Sequence, residues 1–366
     1  MSLLTAQYDR MLGFVHLGWP ARLAGMLPAH HNCNGNQCRG PHCRRILRYA
    51  LVVAPPAGYQ CMRCAHGVFA LVLAPLRAFA RSLHFRAQAR IEHFAPAPVD
   101  GAPLIGLPVV LVHGFWGFDR IGPRRTALRY FRRAATHLAG LGVSVYTVRL
   151  PTGHSVKLRA QRLAAMIEAN ITGQVVIIGH GLGGLDARYV AARTLVGAQV
   201  AAVITVGTPH RGTPLADIFD GGRLRWQYRL ARFLRFPVAA VSWLSTAGAA
   251  RFNREVPDVA GVYYASVISA RRQTGALRSP MSPMLRPMHW YLQRTGPNDG
   301  VVPLESQRWG EVLLESEVDH LAQIGWGRGS PGFVAHDMYA AIVGLVGQRL
   351  ATRAITTAPV VSAGAQ

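Results

Sequence analysis

A short stretch near the middle of the chain constrains the fold more than any other. Residues 175–189 read VVIIGHGLGGLDARY, so four apolar residues lead into a glycine-rich turn and then into a helix-compatible segment. A buried strand, a sharp turn and a helix form the setting of a nucleophile elbow, whose pattern is G-x-S-x-G. Gly179 and Gly183 occupy the outer positions of that pattern, but the central position, where the serine belongs, is Gly181. The sequence therefore predicts the turn without its nucleophile.

Apolar runs and helix-compatible segments alternate on both sides of this turn. The apolar runs have the composition of buried parallel strands, and the segments between them have the period of helices. The predicted strands are Leu107 to Val112, Val143 to Val148, Gln174 to Ile178, Val200 to Val206, Val262 to Ile268 and Val312 to Leu314. The predicted helices are Thr126 to Ala139, Leu158 to Ala169, Leu185 to Thr194 and Phe333 to Leu350. This alternation predicts an α/β fold with a doubly wound, mostly parallel sheet.

The remaining segments suggest how the chain is divided. Residues 105–350 are predicted to form the α/β domain, residues 1–100 a basic, partly disordered N-terminal extension, and residues 351–366 a flexible tail. Residues 214–253 interrupt the alternation. Within them, Arg223 to Leu244 is rich in arginine and aromatic residues and would lie over the carboxyl edge of the sheet, where sites of α/β proteins are found. We therefore interpret 214–253 as a candidate lid, with an ordinary amphipathic helical excursion as the alternative.

All five cysteines precede residue 65 and are accompanied by several histidines. The pair Cys61-x-x-Cys64 with two of Cys33, Cys38 and Cys43 could supply a tetrahedral zinc site. The simpler interpretation of an odd cysteine count is a set of scattered thiols. The apolar, arginine-dotted segment from Val68 to Phe85 could be an amphipathic helix on a lipid surface, although packing on the main domain is the favoured alternative.

The net charge of +23 does not by itself indicate a nucleic-acid-binding protein. Lys157 is the only lysine among 40 basic residues, a bias that resembles coding preference for arginine, and no RNA- or DNA-binding motif accompanies it. Residues 1–26 lack the continuous apolar core of a signal peptide, and the most apolar segment, Gly67 to Ala80, is short and interrupted by Pro75 and Arg77. We therefore expect no nucleic-acid partner and a cytoplasmic protein.

Three positions in the α/β domain follow the order that acyl-transfer chemistry requires on such a scaffold. That chemistry needs a nucleophile, an acid that orients the base, and a histidine base, in this chain order. Gly181, Asp299 and His320 occur in that order. Two backbone N–H groups would form the oxyanion hole, one from Leu182 after the elbow and one from Phe115 after the first strand.

Two other polar residues near these positions have simpler explanations. His180, beside the elbow centre, is expected to pack beneath the turn. Ser155, in a Gly-His-Ser segment that imitates an elbow, is expected to cap a helix rather than to act as the nucleophile.

Five ordered segments resemble the family I bacterial triacylglycerol lipases. They are LPVVLVHGFWGFD at 107–119, the elbow with its tail GLDARY, GTPHRGTPLAD at 207–217, NDGVVPLESQRWG at 298–310 and DHLAQI at 319–324. The resemblance covers residues 105–350 and implies an α/β-hydrolase fold, a lid and carboxylic-ester or lipid substrates. It assigns Asp299 as the triad acid, His320 as the base, and Phe115 and Leu182 as oxyanion donors.

The chain departs from that family at four places. The family serine falls on Gly181, the calcium-binding aspartate on Ala322 and a disulfide cysteine on Glu305, and the first hundred residues have no counterpart. We therefore expect no cofactor and no metal in the catalytic domain. Two functions stay open: an esterase or lipase that tolerates glycine at the elbow or is a variant of a serine enzyme, and a pseudoenzyme that binds an acyl ligand or a partner. Peripheral contact with a lipid surface is compatible with both.

Overall fold

The computed structural model describes residues 89–357 apart from 116, 119, 122–127, 234–235, 237, 272–280 and 328. The predictions for the cysteines, for Gly67 to Ala80 and for Val68 to Phe85 lie outside these residues.

A twisted sheet forms the centre of the described chain. Its seven strands there run in the order β1-β5-β2-β6-β7-β8-β9, and every neighbouring pair is parallel except β1 with β5. The strands are β1 (Arg90–Phe94), β2 (Val109–Val112), β5 (Val145–Arg149), β6 (Val175–His180), β7 (Val200–Val206), β8 (Tyr263–Ser269) and β9 (Glu311–Ser316), and a separate hairpin pairs β3 (Arg120–Ile121) with β4 (Leu128–Arg129). The predicted α/β, mostly parallel sheet is confirmed.

Helices cover both faces of this sheet. They are α1 (Ala134–Gly140), α2 (Val156–Asn170), α3 (Leu182–Arg193), α4 (Pro214–Asp217), α5 (Arg225–Phe233), α6 (Val241–Leu244), α7 (Thr246–Glu255), α8 (Arg286–Leu292), α9 (Leu304–Gln307) and α10 (Ala335–Thr357). None of the described helices is both long enough and apolar enough to cross a membrane.

Both faces of the central strands are apolar because helices pack on each of them. All residues of β2, β6, β7 and β8 are buried. Successive side chains of a strand point to opposite faces. On β6, Val176 and Ile178 accordingly join the core with α1 and α10, whereas Val175 and Ile177 join the core with α2 and α3. This double packing explains why the strands read as continuous apolar runs rather than as an alternating pattern.

Three of the predicted boundaries differ from the structure more than the others do. The sheet begins before residue 105, because Arg90–Phe94 pairs antiparallel with Val145–Arg149. The helix predicted from Thr126 begins only at Ala134, since Leu128–Arg129 is a strand and Arg132 has a φ of 48°, a left-handed conformation that interrupts a helix. The last helix continues to Thr357, beyond its predicted end at Leu350.

Where the structure describes it, the interruption predicted at 214–253 is a run of four helices, α4 to α7. Apolar residues of this run, including Ala240, Leu244 and Phe252, form one core with Leu182 and Leu185 at the start of α3. The insertion therefore packs beside the glycine-rich turn. Its role as a lid stays a prediction.

Candidate active site

The turn between β6 and α3 has the backbone of an elbow although its central residue is glycine. Gly181 has φ 54° and ψ −122°, and it stands between the last residue of β6 and the first residue of α3. Its N–H donates to the carbonyl of Val206 on the neighbouring strand, at 2.9 Å. A residue with a side chain is strained in this region of φ/ψ space, whereas glycine is not. The sharp turn is thus retained without the serine that usually occupies it.

Asp299 and His320, which are 21 residues apart in sequence, form a hydrogen-bonded pair. The Nδ1–H of His320 donates to Oδ2 of Asp299 at 2.7 Å, and the backbone N–H of His320 donates to the carbonyl of Asp299 at 2.9 Å. The Asp299 side chain is fully buried, whereas that of His320 is 13% exposed. The histidine is therefore the member of the pair that can reach a reactant.

Four donors satisfy the buried carboxylate of Asp299. The N–H groups of Val301 and Val302 donate to Oδ1 at 2.9 and 2.7 Å, and the amide of Gln323 donates to Oδ2 at 3.1 Å beside His320. A buried charge is costly unless hydrogen bonds compensate for its lost hydration. These contacts supply that compensation and hold the carboxylate in one orientation.

The remaining ring nitrogen of His320 is directed at the elbow. A Cβ atom built on Gly181 would lie 3.3 Å from Nε2 of His320 and 3.6 Å from Cε1. A serine oxygen at this position would be within hydrogen-bonding distance of Nε2, because the oxygen projects about 1.4 Å beyond Cβ and such bonds measure roughly 2.6–3.2 Å. The structure brings the three predicted positions, Gly181, Asp299 and His320, together in one place.

A chain of buried hydrogen bonds under His320 was not predicted from the sequence. The Tyr130 hydroxyl accepts from the Gly114 N–H at 3.1 Å, so its own hydrogen is available to Nδ1 of His180 at 2.9 Å. The Nε2–H of His180 can then donate to Oε1 of Gln323 at 3.1 Å, and the Gln323 amide donates to Asp299. This relay connects the loop after β2 to the Asp299 carboxylate through His180.

Burial favours the uncharged forms of Tyr130 and His180 in this relay. It raises the pKa of Tyr130 to about 12, and burial together with the charge of His320 lowers the pKa of His180 well below its usual value. The rings of His180 and His320 lie 4.3 Å apart. A neutral His180 beneath His320 agrees with the expectation that it packs under the turn, and it also adds a positioning contact.

A second glycine, which sequence reasoning did not single out, lies against the Asp299–His320 pair. Gly207, at the end of β7, has a φ of 57°. A Cβ atom there would lie 2.3 Å from Oε1 of Gln323, 3.1 Å from Nδ1 of His320 and 3.2 Å from Oδ2 of Asp299. Only a residue without a side chain fits against the pair. The signal was available in the segment GTPHRGTPLAD, whose first residue is this glycine.

The loop after β2 lies next to the elbow. The position of a Cβ on Gly181 is 3.8 Å from Cα of Gly114, and the loop closes as a turn in which the Gly117 N–H donates to the Gly114 carbonyl at 3.1 Å. His113 braces it from below, because its Nδ1–H donates to the Gly114 carbonyl and its Nε2 accepts from the Leu150 N–H.

The two residues predicted as oxyanion donors flank this junction. Phe115 follows Gly114 in the loop. Leu182 is the first residue of α3, where backbone N–H groups point out of the helix end.

A fully buried arginine fixes the same loop. Arg159 donates to the carbonyls of His113 at 2.7 Å and Pro151 at 3.2 Å, and its Nε donates to Asp186 at 2.9 Å. Burial raises the pKa of Asp186 to about 6, against the opposing effect of Arg159. The guanidinium therefore links α2, α3 and the start of the loop.

Backbone and capping contacts account for the residues at the family's calcium position and at the false elbow. The residue at the calcium position is Ala322, and the nearby carboxylate of Asp319 accepts from the N–H groups of Ser282, Leu321 and Ala322. Ser155 caps α2, since its hydroxyl accepts from the Leu158 N–H at 3.4 Å. In the part of the chain that the structure describes, His137, His336 and Asp337 form the one group of three side chains that could hold a metal ion.

A family comparison agrees with this geometry. The model of the alpha/beta hydrolase family matches residues 109–325, which run from β2 through the Asp299–His320 pair. The chain belongs to this family. The predicted α/β-hydrolase fold is thereby confirmed, and the relatives described next confirm the lipase-like lineage.

Two relatives to which the chain is similar are triacylglycerol lipases. The chain is 31% identical over 267 residues to a triacylglycerol lipase from Pseudomonas fragi, covering 59% of this chain and 87% of the relative. It is 28% identical over 254 residues to a triacylglycerol lipase from Vibrio cholerae, covering 59% of this chain and 79% of that protein. Both relatives are bacterial lipases.

Solved structures show the same fold at low identity. A metagenomic carboxyl esterase aligns with a TM-score of 0.55 at 23% identity, over 69% of this chain and 79% of the esterase. A Bacillus licheniformis lipase in its mature form aligns with a TM-score of 0.51 at 21% identity, over 64% of this chain and 92% of the lipase. Both similarities concern the α/β-hydrolase fold.

Proposed function

We propose that this chain carries the site of a carboxylic ester hydrolase of lipase type, in which Asp299 orients His320 and His320 serves as the base. The observation that supports this proposal is the direction of His320 Nε2, which lies 3.3 Å from the place of a Cβ on residue 181 while Nδ1–H is bound to Asp299. The similarity to triacylglycerol lipases indicates esters as the substrate class.

The proposed chemistry assigns one task to each residue of a serine form. The serine oxygen attacks the ester carbonyl while its proton passes to Nε2 of His320. The N–H groups of Leu182 and Phe115 stabilise the negative oxygen that develops. His320 then returns the proton to the leaving alcohol, and a water repeats the sequence to release the acid.

This chain lacks the serine nucleophile, because residue 181 is glycine. Glycine supplies neither oxygen nor sulfur at position 181, so no acyl-enzyme forms. Loss of the serine from a protease triad costs on the order of 10⁶ in kcat, while the oxyanion donors and substrate binding retain about 10³ to 10⁴ over water. We therefore expect weak turnover without a burst, in which His320 assists the attack of water.

The decisive experiment compares Gly181→Ser with the original chain in p-nitrophenyl ester hydrolysis. The matched control is Gly181→Ala, which adds the same Cβ at a φ of 54° but no nucleophile. A hydrogen-bonded serine–histidine pair places Cβ about 3.5 Å from Nε2, so the 3.3 Å spacing requires a shift of only a few tenths of an ångström. We expect Gly181→Ser to raise kcat at least about 100-fold, well within the range that a serine provides, and Gly181→Ala to leave it low.

A second function, an acyl-ligand or partner-binding pseudoenzyme, is favoured by the glycine itself. The two proposals differ in the serine variant. If Gly181→Ser reacts with an active-site-directed phosphonate and hydrolyses esters, and His320→Ala abolishes both in that background, the hydrolase proposal holds. An inert Gly181→Ser that still binds a fatty-acid analogue would favour the pseudoenzyme instead.

The insertion α4 to α7 is proposed as the lid and as the place of lipid contact. On α5 the side chains of Trp226, Leu230 and Phe233 are 61%, 40% and 57% exposed, and their spacing places them on one helical face. Arginines in the same helix suit an anionic lipid surface. Co-sedimentation with phosphatidylglycerol vesicles should fall in Trp226→Ser/Phe233→Ser, while the exposed control Leu195→Ser should bind normally.

A further inference from the structure

Two histidines and an aspartate converge on the surface where α1 meets the start of α10. His137 lies in the last turn of α1, and His336 and Asp337 lie in the first turn of α10. One carboxylate oxygen of Asp337 lies 3.5 Å from Nε2 of His137 and 3.7 Å from Nε2 of His336. All three donor atoms lie within 4.8 Å of one another.

The spacing of these atoms differs from that of a hydrogen-bonded cluster. N–H···O hydrogen bonds usually measure about 2.7–3.2 Å, so both nitrogen–oxygen distances are too long for one. Ligands around a tetrahedral zinc ion, at about 2.0–2.1 Å from the metal, stand roughly 3.3 Å apart. The two measured distances are within a few tenths of an ångström of that separation. Both nitrogen–oxygen pairs are therefore spaced as two ligands of a common ion would be, and the two ring nitrogens lie within 4.8 Å of each other.

The residue types select the class of ion. Neutral imidazole nitrogens bind zinc and similar transition metals, whereas calcium requires oxygen ligands. Two histidines and one carboxylate fill three positions of a tetrahedron, and the fourth remains available to water. The side chains of His137 and His336 are about one-third exposed and that of Asp337 is 64% exposed, so an ion can enter from solvent.

We propose that His137, His336 and Asp337 bind one Zn²⁺ ion that braces α1 to α10. These two helices already pack through Ala134, Leu138 and Tyr339 in the core on one face of the sheet. The ion would join their solvent-facing ends, which belong to opposite halves of the chain. This inference does not depend on the proposed function, because none of the three ligands belongs to the Gly181 site. It replaces the expectation from the sequence that the catalytic domain binds no metal.

The test measures bound zinc per chain in the full-length protein after removal of metal and dialysis against Zn²⁺. We expect His137→Ala, His336→Ala and Asp337→Asn each to bind one equivalent less than the original chain, with affinity at that site reduced at least about 100-fold. The control is His93→Ala, which removes a histidine on β1 that hydrogen-bonds to Ser144. This variant should bind as much zinc as the original chain. The cysteines are the same in all these proteins, so any zinc that they bind cancels when the zinc content of a variant is subtracted from that of the original chain.

Two further measurements identify the ligands and the brace. With Co²⁺, the difference spectrum between the original chain and His336→Ala should contain d–d bands but no thiolate charge-transfer band. Zinc should raise the Tm of the original chain more than that of His336→Ala. Equal zinc stoichiometry in all variants, or a thiolate band in the difference spectrum, would overturn the proposal.

Discussion

Two buried tyrosines in the same core allow a direct measurement of what the hydrogen-bond relay contributes. Tyr130 has a hydroxyl that bonds to the Gly114 N–H and to His180, whereas the buried hydroxyl of Tyr339 has no hydrogen-bond partner among the residues that the structure describes. Both rings pack in the core that includes α1 and α10. Replacement of each tyrosine by phenylalanine removes one oxygen and conserves the ring, so the two variants differ in the bonds lost.

The expected magnitudes follow from those bonds. Tyr130→Phe leaves the Gly114 N–H and Nδ1 of His180 without their partner in a region from which water is excluded. Each unsatisfied buried group costs about 1–3 kcal/mol, so the loss of both partners should lower the free energy of unfolding by about 2–6 kcal/mol. Tyr339→Phe removes a hydroxyl that is already unsatisfied, and a change between zero and a gain of about 1 kcal/mol is expected.

Urea denaturation of the two variants and the original chain at pH 7 measures the difference. A gap of at least about 2 kcal/mol between the variants is expected. In the Gly181→Ser background, Tyr130→Phe should also lower kcat, because the loop that carries Phe115 loses its anchor, while Tyr339→Phe should not. Equal losses of stability in the two variants would refute the assignment of the relay.

Three other predictions follow from the site. Gly207→Ala should lower the free energy of unfolding by at least about 2 kcal/mol, since its Cβ would collide with Gln323. The control is Gly261→Ala, which also has a positive φ but lies in open space. It should lower the free energy of unfolding only by the backbone cost of roughly 1–2 kcal/mol. His210, a buried residue of the segment that follows β7, shares one property with His180: burial lowers the pKa of both well below 6.5. The unfolded chain therefore binds more protons, and stability should fall below pH 6.5 by about 1.4 kcal/mol per pH unit for each histidine. His210→Gln should reduce that slope in urea titrations, and an unchanged slope would contradict the lowered pKa of His210. Added calcium should leave the Tm of the metal-free protein unchanged, and a rise of several degrees would disprove the absence of a calcium site.

The sequence predicts those features that depend on local pattern. Val200–Val206 is a strand with the predicted bounds, and Ser155 caps the helix that it was expected to cap. The order of Gly181, Asp299 and His320 was readable because this fold presents its site residues in a known chain order, and the structure brings the three positions together.

Features that depend on distant contacts were not predicted. Tyr130 and Gln323 meet His180 across 50 and 143 residues, and no local signal marks such a contact. The same holds for His137 and His336, whose rings lie 4.6 Å apart. The helix predicted from Thr126 begins only at Ala134, because Leu128–Arg129 is a strand and Arg132 adopts a left-handed backbone, which neither its type nor its neighbours indicate.

The antiparallel strand β1 has a practical consequence for shortened forms of the chain. Arg90–Phe94 covers one side of β5, where His93 stacks on Tyr146 and Glu92 accepts two bonds from Arg129. A protein expressed from residue 105, the start that the family resemblance suggests, would leave Val145–Arg149 as a bare sheet edge. Exposed edges pair with other chains. Such a protein should aggregate during purification, whereas one that begins at residue 89 keeps its edge covered.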